Sequence, residues 1–146
     1  MKQLPRILID TREQKPLRFD GFPIKVKKLE YGDYSLHGLE KVVAVERKAL
    51  ADLWGTLSQP ASWSRFEREL GRAMCDGCRL HVVVESSIEQ ALRPSRWCAM
   101  DPRRVLDRLW ESCHRMGASA VFAGSRAMAP AATLAILRGA WRAHEG

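Results

Sequence analysis

The 146-residue chain has no apolar run near the roughly 20 residues a membrane-spanning helix needs, which excludes an integral helical membrane protein. Its opening MKQLPRILID lacks the apolar stretch and small-residue cleavage site of a secretion signal, so a soluble, cytoplasmic or otherwise intracellular protein is expected. There is no internal repeat, no linker and no low-complexity tract beyond an alanine-rich stretch near the end. One domain over 1–146 is therefore expected. Cysteine is scarce: Cys75, Cys78, Cys98 and Cys113. Cys75 and Cys78, with His81 nearby, have the spacing of half a zinc site, but no second CxxC completes it, and reduced, partly buried thiols are expected instead. Lysine is absent after Lys48, so every later Lys/Arg position is Arg.

What is present suits a folded domain with an anionic partner. Hydrophobic residues make up 46% and charged residues 28%, which excludes disordered, collagen-like and coiled-coil classes. Twenty-four Lys and Arg against 17 Asp and Glu give a formal charge of +7. That excess points to a polyanion.

The apolar pattern changes period along the chain. Strands are expected over 6–10, from Ile24, and over 42–46, where Val42-Val43-Ala44-Val45-Glu46 is β-branched. From Ile24 the alternation puts an apolar face opposite a lysine face, Tyr31 to Tyr34 reads as a turn, and a second turn follows through Gly38, so a meander is expected. Leu50, Leu53, Trp54 and Leu57 recur at helical spacing up to Pro60, and Trp63, Phe66, Leu70, Ala73 and Met74 line a second helix. A strand over 80–85 and a short helix over 87–92 lead to a helix opened by Asp101-Pro102 and stopped by Gly117. A strand over 120–123 and a final helix from about Pro130 complete the order. Strands first, then alternating helices and strands, predict an α/β class: a central mixed β-sheet flanked by helices.

The chemistry is concentrated between Asp10 and Asp52. Residues two apart on a strand share a face, so Glu46 and Lys48 can enter one site while Arg47 faces away, and Asp33, in the preceding turn, can meet them. Converging carboxylates repel unless a cation neutralises them, and hard oxygen donors favour Mg²⁺ or Mn²⁺. Such an ion with a nearby lysine suits phosphodiester hydrolysis. Asp52, four residues beyond Lys48 on the next helix, could pair with Lys48 or Arg47, or complement the helix dipole.

The blocks Ile9-Asp10-Thr11-Arg12-Glu13, Gly32-Asp33-Tyr34 and Val45-Glu46-Arg47-Lys48, with Asp52 beyond, closely resemble the nuclease domain of the XPF family of structure-specific endonucleases. The family signature is Gly-Asp, a variable gap, Glu-Arg-Lys, three residues and Asp. The match is strongest over about 7–57. Arg65-Phe66 looks like the family's Arg-aromatic pair, with Glu69 where Gln is common.

The resemblance implies a restriction-endonuclease-like core and a Mg²⁺- or Mn²⁺-dependent endonuclease that cuts flap, fork or junction DNA in repair or recombination, in the cytoplasm at the nucleoid. Asp33 and Glu46 would be metal ligands, Asp10 a further metal-site acid, Lys48 the catalytic lysine, and Arg12, Glu13, Arg47 and Asp52 supporting residues. The family's tandem helix-hairpin-helix module is not found within 1–146, so branch recognition is expected from a homodimer or a separate DNA-binding subunit. The helix from Asp101 and the alanine-rich helix are candidate dimer faces. DNA contacts outside the site are expected at Lys25, Lys27, Lys28, Arg65, Arg68, Arg72, Arg93, Arg96 and Trp97. The competing readings are a weak or inactive DNA-binding scaffold, and a restriction or recombination nuclease of the same fold. The presence of every signature acid argues against the scaffold.

Overall fold

The β-branched run ending in Glu46-Arg47-Lys48 forms the interior strand β4 (Val43–Lys48) of a sheet in the computed structural model, which describes residues 3–94, 96 and 99–145. Before it in the chain come β1 (Ile7–Ile9), β2 (Ile24–Val26) and β3 (Tyr34–Leu36). After it come α1 (Leu50–Ser58), α2 (Pro60–Cys75), β5 (Arg79–Val84), α3 (Ile88–Ala91), α4 (Pro102–Met116), β6 (Ser119–Phe122) and α5 (Ala129–Glu145). Among the described residues the six strands form one sheet in the order β2-β1-β3-β4-β5-β6. β3 runs antiparallel to both β1 and β4, while β4, β5 and β6 are mutually parallel. This is the mixed, helix-flanked α/β architecture expected.

The pleat of β4 divides the core. Ala44 joins Leu53, Trp54 and Leu57 of α1, Phe66 and Leu70 of α2, and Val105 and Leu109 of α4 on one face. Val43 and Val45 face the other way, against Ala129 and Leu137 of α5 and Leu17 and Phe19 of the β1–β2 loop. Each fully buried side chain of this size stabilises the fold by about 1.5–3 kcal/mol relative to exposure. The apolar sides of α4 and α5, read above as candidate dimer faces, are directed into these two clusters. No helix among the described residues is long and apolar enough to cross a membrane.

Several expectations are corrected. The first strands do not form a meander, because β2 lies outside β1 and pairs with it in parallel. Its alternation buries no apolar face: Ile24 is 41% and Val26 63% exposed, as befits an edge strand with nothing packed over it. Tyr34–Leu36, read as part of a turn region, is a buried central strand, three residues being too few to display a period. Pro60 does separate two helices, but it does so as the first residue of α2, after an extended Gln59. Met74, placed on the apolar stripe of α2, is 45% exposed.

One backbone position governs how the sheet presents Asp33. Gly32 has φ +66°, and a Cβ built there would lie 2.8 Å from the Val45 carbonyl oxygen. That same carbonyl accepts the Asp33 N–H at 2.7 Å, so the close approach of the two chains is what a side chain at 32 would prevent. Gly32→Ala is expected to lose at least about 2 kcal/mol in urea unfolding. Gly139→Ala, inside α5 with open space around its Cβ position, is expected to gain about 0.5–1 kcal/mol. Equal effects at the two positions would refute this account.

Candidate active site

The last half of β4 sets out the site. Glu46 and Lys48 share the face of Ala44, toward the α1–α2 side, and Arg47 shares the opposite face of Val45. Asp33 arrives just before β3. Its N–H is bound to the Val45 carbonyl, its carbonyl accepts the Asp10 N–H at 2.8 Å, and its Oδ2 accepts the Arg47 N–H at 2.8 Å. The three strands β1, β3 and β4 thus meet at this aspartate.

Asp33 and Glu46 open into a cavity of about 170 Å³, also lined by Asp10, Arg12, Glu30, Glu69 and Arg72. Among the described residues the Glu46 carboxylate has no hydrogen-bond or ion-pair partner. Burial, then repulsion from Asp33, pushes Glu46 up to about 8. Burial pushes Asp33 up to about 6 against the pull of the Arg47 N–H. Lys48 exerts a lowering attraction on both acids, which puts its ammonium within their field. Its Nζ donates to Thr56 Oγ1 of α1 at 3.1 Å.

The other two acids of the sequence blocks have a different character. Asp10 is 3% exposed and both its oxygens are engaged: Oδ1 by the Leu29 N–H at 2.8 Å, Oδ2 by Arg12 Nε at 2.9 Å and by the Arg12 N–H at 3.1 Å. Burial would raise its pKa, but these bonds together hold it below the usual carboxylate range. Glu13 lies on the α5 side and accepts from Arg47 Nε at 2.8 Å, Arg47 Nη2 at 2.7 Å and the Tyr34 hydroxyl at 3.0 Å. It too is held low in spite of burial. Arg47 Nη1 reaches Glu85, which also accepts from Arg126 Nη1 at 3.0 Å. A four-charge network therefore closes the back of β4, and removing Arg47, its most buried cation, would strand Glu13 and Glu85 in a buried setting at about 3–5 kcal/mol.

The residues expected from the sequence are thus sorted by place. Asp10, Arg12, Asp33 and Glu46 line one cavity, Lys48 follows on the same face of β4 and reaches Thr56 of α1, and Glu13 and Arg47 sit behind the strand. Asp52 is exposed in the first turn of α1, and among the described residues it pairs with neither Lys48 nor Arg47. Those two are bound to Thr56 and to Glu13 and Glu85, so the expected Asp52 ion pair is absent there. Of the proposed DNA contacts, Lys28 and Arg72 line a groove of about 550 Å³ that shares Arg12 with the acidic cavity. Arg65 and Arg68 are exposed on α2. Lys25 lies on the β2 edge, Lys27 pairs with Glu40 at 3.3 Å, and Arg93 pairs with Glu89 at 3.5 Å. Arg96 is exposed, and Trp97 lies outside the described residues. Glu69 and Glu30 were not among the expected site residues. Helical spacing shows that Glu69 is on the surface of α2, and only tertiary packing shows that this surface overlooks Glu46.

Among the described residues no three His, Cys, Asp or Glu side chains stand close enough to hold a metal ion as placed. The donor chemistry of Asp33 and Glu46 nevertheless fits a divalent cation: all-oxygen, desolvated and mutually repelling, with Glu46 otherwise unpaired among the described residues.

The mixed six-stranded sheet flanked by helices is a fold already seen in solved structures. Two solved structures bear this out: XPF from Aeropyrum pernix, at TM-score 0.71 and 19% identity, and the same protein in complex with DNA, at 0.72 and 18%. Each match covers 94% of this chain and 66% of that one, so the chain spans somewhat under two thirds of its structural relative. No curated protein sequence matches. Residues 9–129 match the ERCC4 domain, and the chain belongs to the ERCC4 domain family.

Raised carboxyl groups make the folded protein hold more protons than the unfolded chain between the two pKa values, so their contribution to stability falls as pH rises from about 5 to 8. Metal-free Glu46→Gln is expected to melt above the parent by a margin that widens over this range to several degrees, at about 2–4 °C per kcal/mol. Mn²⁺ should narrow it. A margin independent of pH would show that Glu46 is not strained by its ionisation.

Proposed function

We propose that this chain is a metal-dependent DNA endonuclease domain, spanning 1–146, that hydrolyses phosphodiester bonds in branched DNA: flaps, forks or junctions. The observation that carries the reading is the pair Asp33 and Glu46, both raised chiefly by burial and Glu46 also by repulsion from Asp33, facing one cavity with Lys48 on the same face of β4 as Glu46, in a member of the ERCC4 domain family. Packing alone does not call for two half-buried carboxylates on one cavity, one with a single main-chain donor and the other with none among the described residues; a bound cation does.

Asp33 and Glu46, with Asp10 across the cavity, would hold Mg²⁺ or Mn²⁺. When bound, the ion supplies Lewis acidity toward the phosphate and its attacking water. The chain's own residues do the rest. Lys48 places a positive charge where negative charge builds on the phosphorus oxygens as the water oxygen bonds to phosphorus and the ester P–O bond breaks. Arg12, Lys28 and Arg72 receive the backbone phosphates beside the cavity, with Lys25, Lys27, Arg65, Arg68, Arg93, Arg96 and Trp97 as outer contacts. Arg47, Glu13 and Asp52 support the strand and helix that carry the site. A second copy or a DNA-binding subunit supplies recognition of the branch. The DNA complex of the Aeropyrum pernix relative, the formal charge of +7 and the basic groove support the choice of substrate. An intracellular location follows from that substrate.

One panel tests the reading: the purified protein with Mg²⁺ or Mn²⁺ against single-stranded, duplex, flap, fork and four-way DNA, beside Asp33→Ala and Glu46→Ala. Cleavage of a branched substrate is expected, falling at least about 10²-fold in each variant while DNA binding in EDTA stays within about twofold. Full cleavage by either variant would remove that residue from the metal site. DNA binding without cleavage of any substrate would select the scaffold reading, and cleavage of plain duplex at fixed sequences the restriction-type one.

A further inference from the structure

We propose that Thr56 is a positioning residue for Lys48, holding its ammonium toward the two cavity acids through a neutral acceptor; this rests on the catalytic role given to Lys48 above. The contact is Lys48 Nζ to Thr56 Oγ1 at 3.1 Å, between the last residue of β4 and the second turn of α1. Among the described residues it is the one hydrogen bond of that ammonium.

A lysine carries its charge on four rotatable bonds, and fixing it in one place costs rotamer entropy. Thr56 is suited to the task. It is half-buried, its β-branched side chain is confined to two χ1 rotamers in a helix, and its own carbonyl is bound by the Ser62 hydroxyl at 3.1 Å, which braces the end of α1. The chemical nature of the acceptor matters more. A carboxylate here would orient the ammonium but cancel its field, whereas a hydroxyl oxygen orients it and leaves the charge available to Asp33, Glu46 and an incoming phosphate. Asp52, one helical turn earlier, is an exposed acid that among the described residues leaves Lys48 alone. The fold thus sets the neutral member of this helix face against the lysine.

The test compares Thr56→Val, which keeps the shape and loses the acceptor, with Thr56→Ser, which keeps the acceptor. Steady-state cleavage is followed in both, and in Lys48→Met and the double variant Lys48→Met/Thr56→Val, with single-turnover rates beside it to isolate the chemical step. The valine variant is expected to lose about tenfold in kcat with KM within about twofold, below the roughly 10²-fold that a 1 Å misplacement can cost. Serine should restore most of it. In the Lys48→Met background the valine should add no further loss, because Thr56 acts through the lysine. An independent readout uses the metal-free protein: the Lys48 ammonium NMR signal, assigned by its loss in Lys48→Met, should broaden or shift in Thr56→Val and persist in Thr56→Ser. Unchanged kcat in Thr56→Val, or an equal loss in the double variant's background, would overturn the proposal. If Lys48→Met itself cleaves at the parental rate, the role of the lysine fails instead. Should Thr56→Val not fold, as judged by its melting curve, Thr56→Ala carries the same comparison.

Discussion

The guanidinium of Arg47 ties together segments that the chain keeps far apart, and the rest of the site depends on it. Its three nitrogens bind Glu13 from the β1–β2 loop and Glu85 at the end of β5, and Glu85 in turn binds Arg126 ahead of α5. Arg126 reaches back to the Lys15 carbonyl at 2.9 Å, so the loop carrying Glu13 is closed from both sides. The pleat forces Arg47 to this side whenever Glu46 and Lys48 are on the other. Its main-chain N–H meanwhile holds Asp33 on the front, so one residue fixes both faces of the strand.

That arrangement gives neighbouring carboxylates opposite characters. Asp10 and Glu13 are surrounded by donors that hold them below the usual carboxylate range, fixing backbone and cation positions. Asp33 and Glu46 are half-buried with too few donors and resist ionisation. The first pair contributes to rigidity, and the second stores an electrostatic cost that a bound cation would release. A site of this kind is less stable empty than filled, and its geometry is maintained by the satisfied acids around it.

Much of this was legible in the sequence because it rests on short-range rules. The period-two pattern of 42–48 separates Glu46 and Lys48 from Arg47, and the structure separates them the same way. Gly32 beside Asp33 marks a turn, and helix spacing locates α1, α2, α4 and α5. What could not be read depends on contacts between distant segments. β3 is three residues long and gains its identity from being paired on both sides. The partner of Lys48 is set by how α1 leaves β4, a rotation that no spacing rule contains, which is why the spacing pointed to Asp52 and left Thr56 unremarked. Glu69 faces Glu46 because α2 packs across the sheet, and on its own helix it is one charge among many.

The exposed β2 edge gives the lysines around it a second task. Ile24 and Val26 lie on a strand whose outer ladder of amide and carbonyl groups is unpaired by any other strand among the described residues. Such a border invites another chain to add itself as a further strand, and flanking positive charge is a common deterrent. Lys25, Lys27 and Lys28 place positive charge on and just beyond this border, which opposes the addition of a further strand independently of the nucleic-acid contact proposed for them.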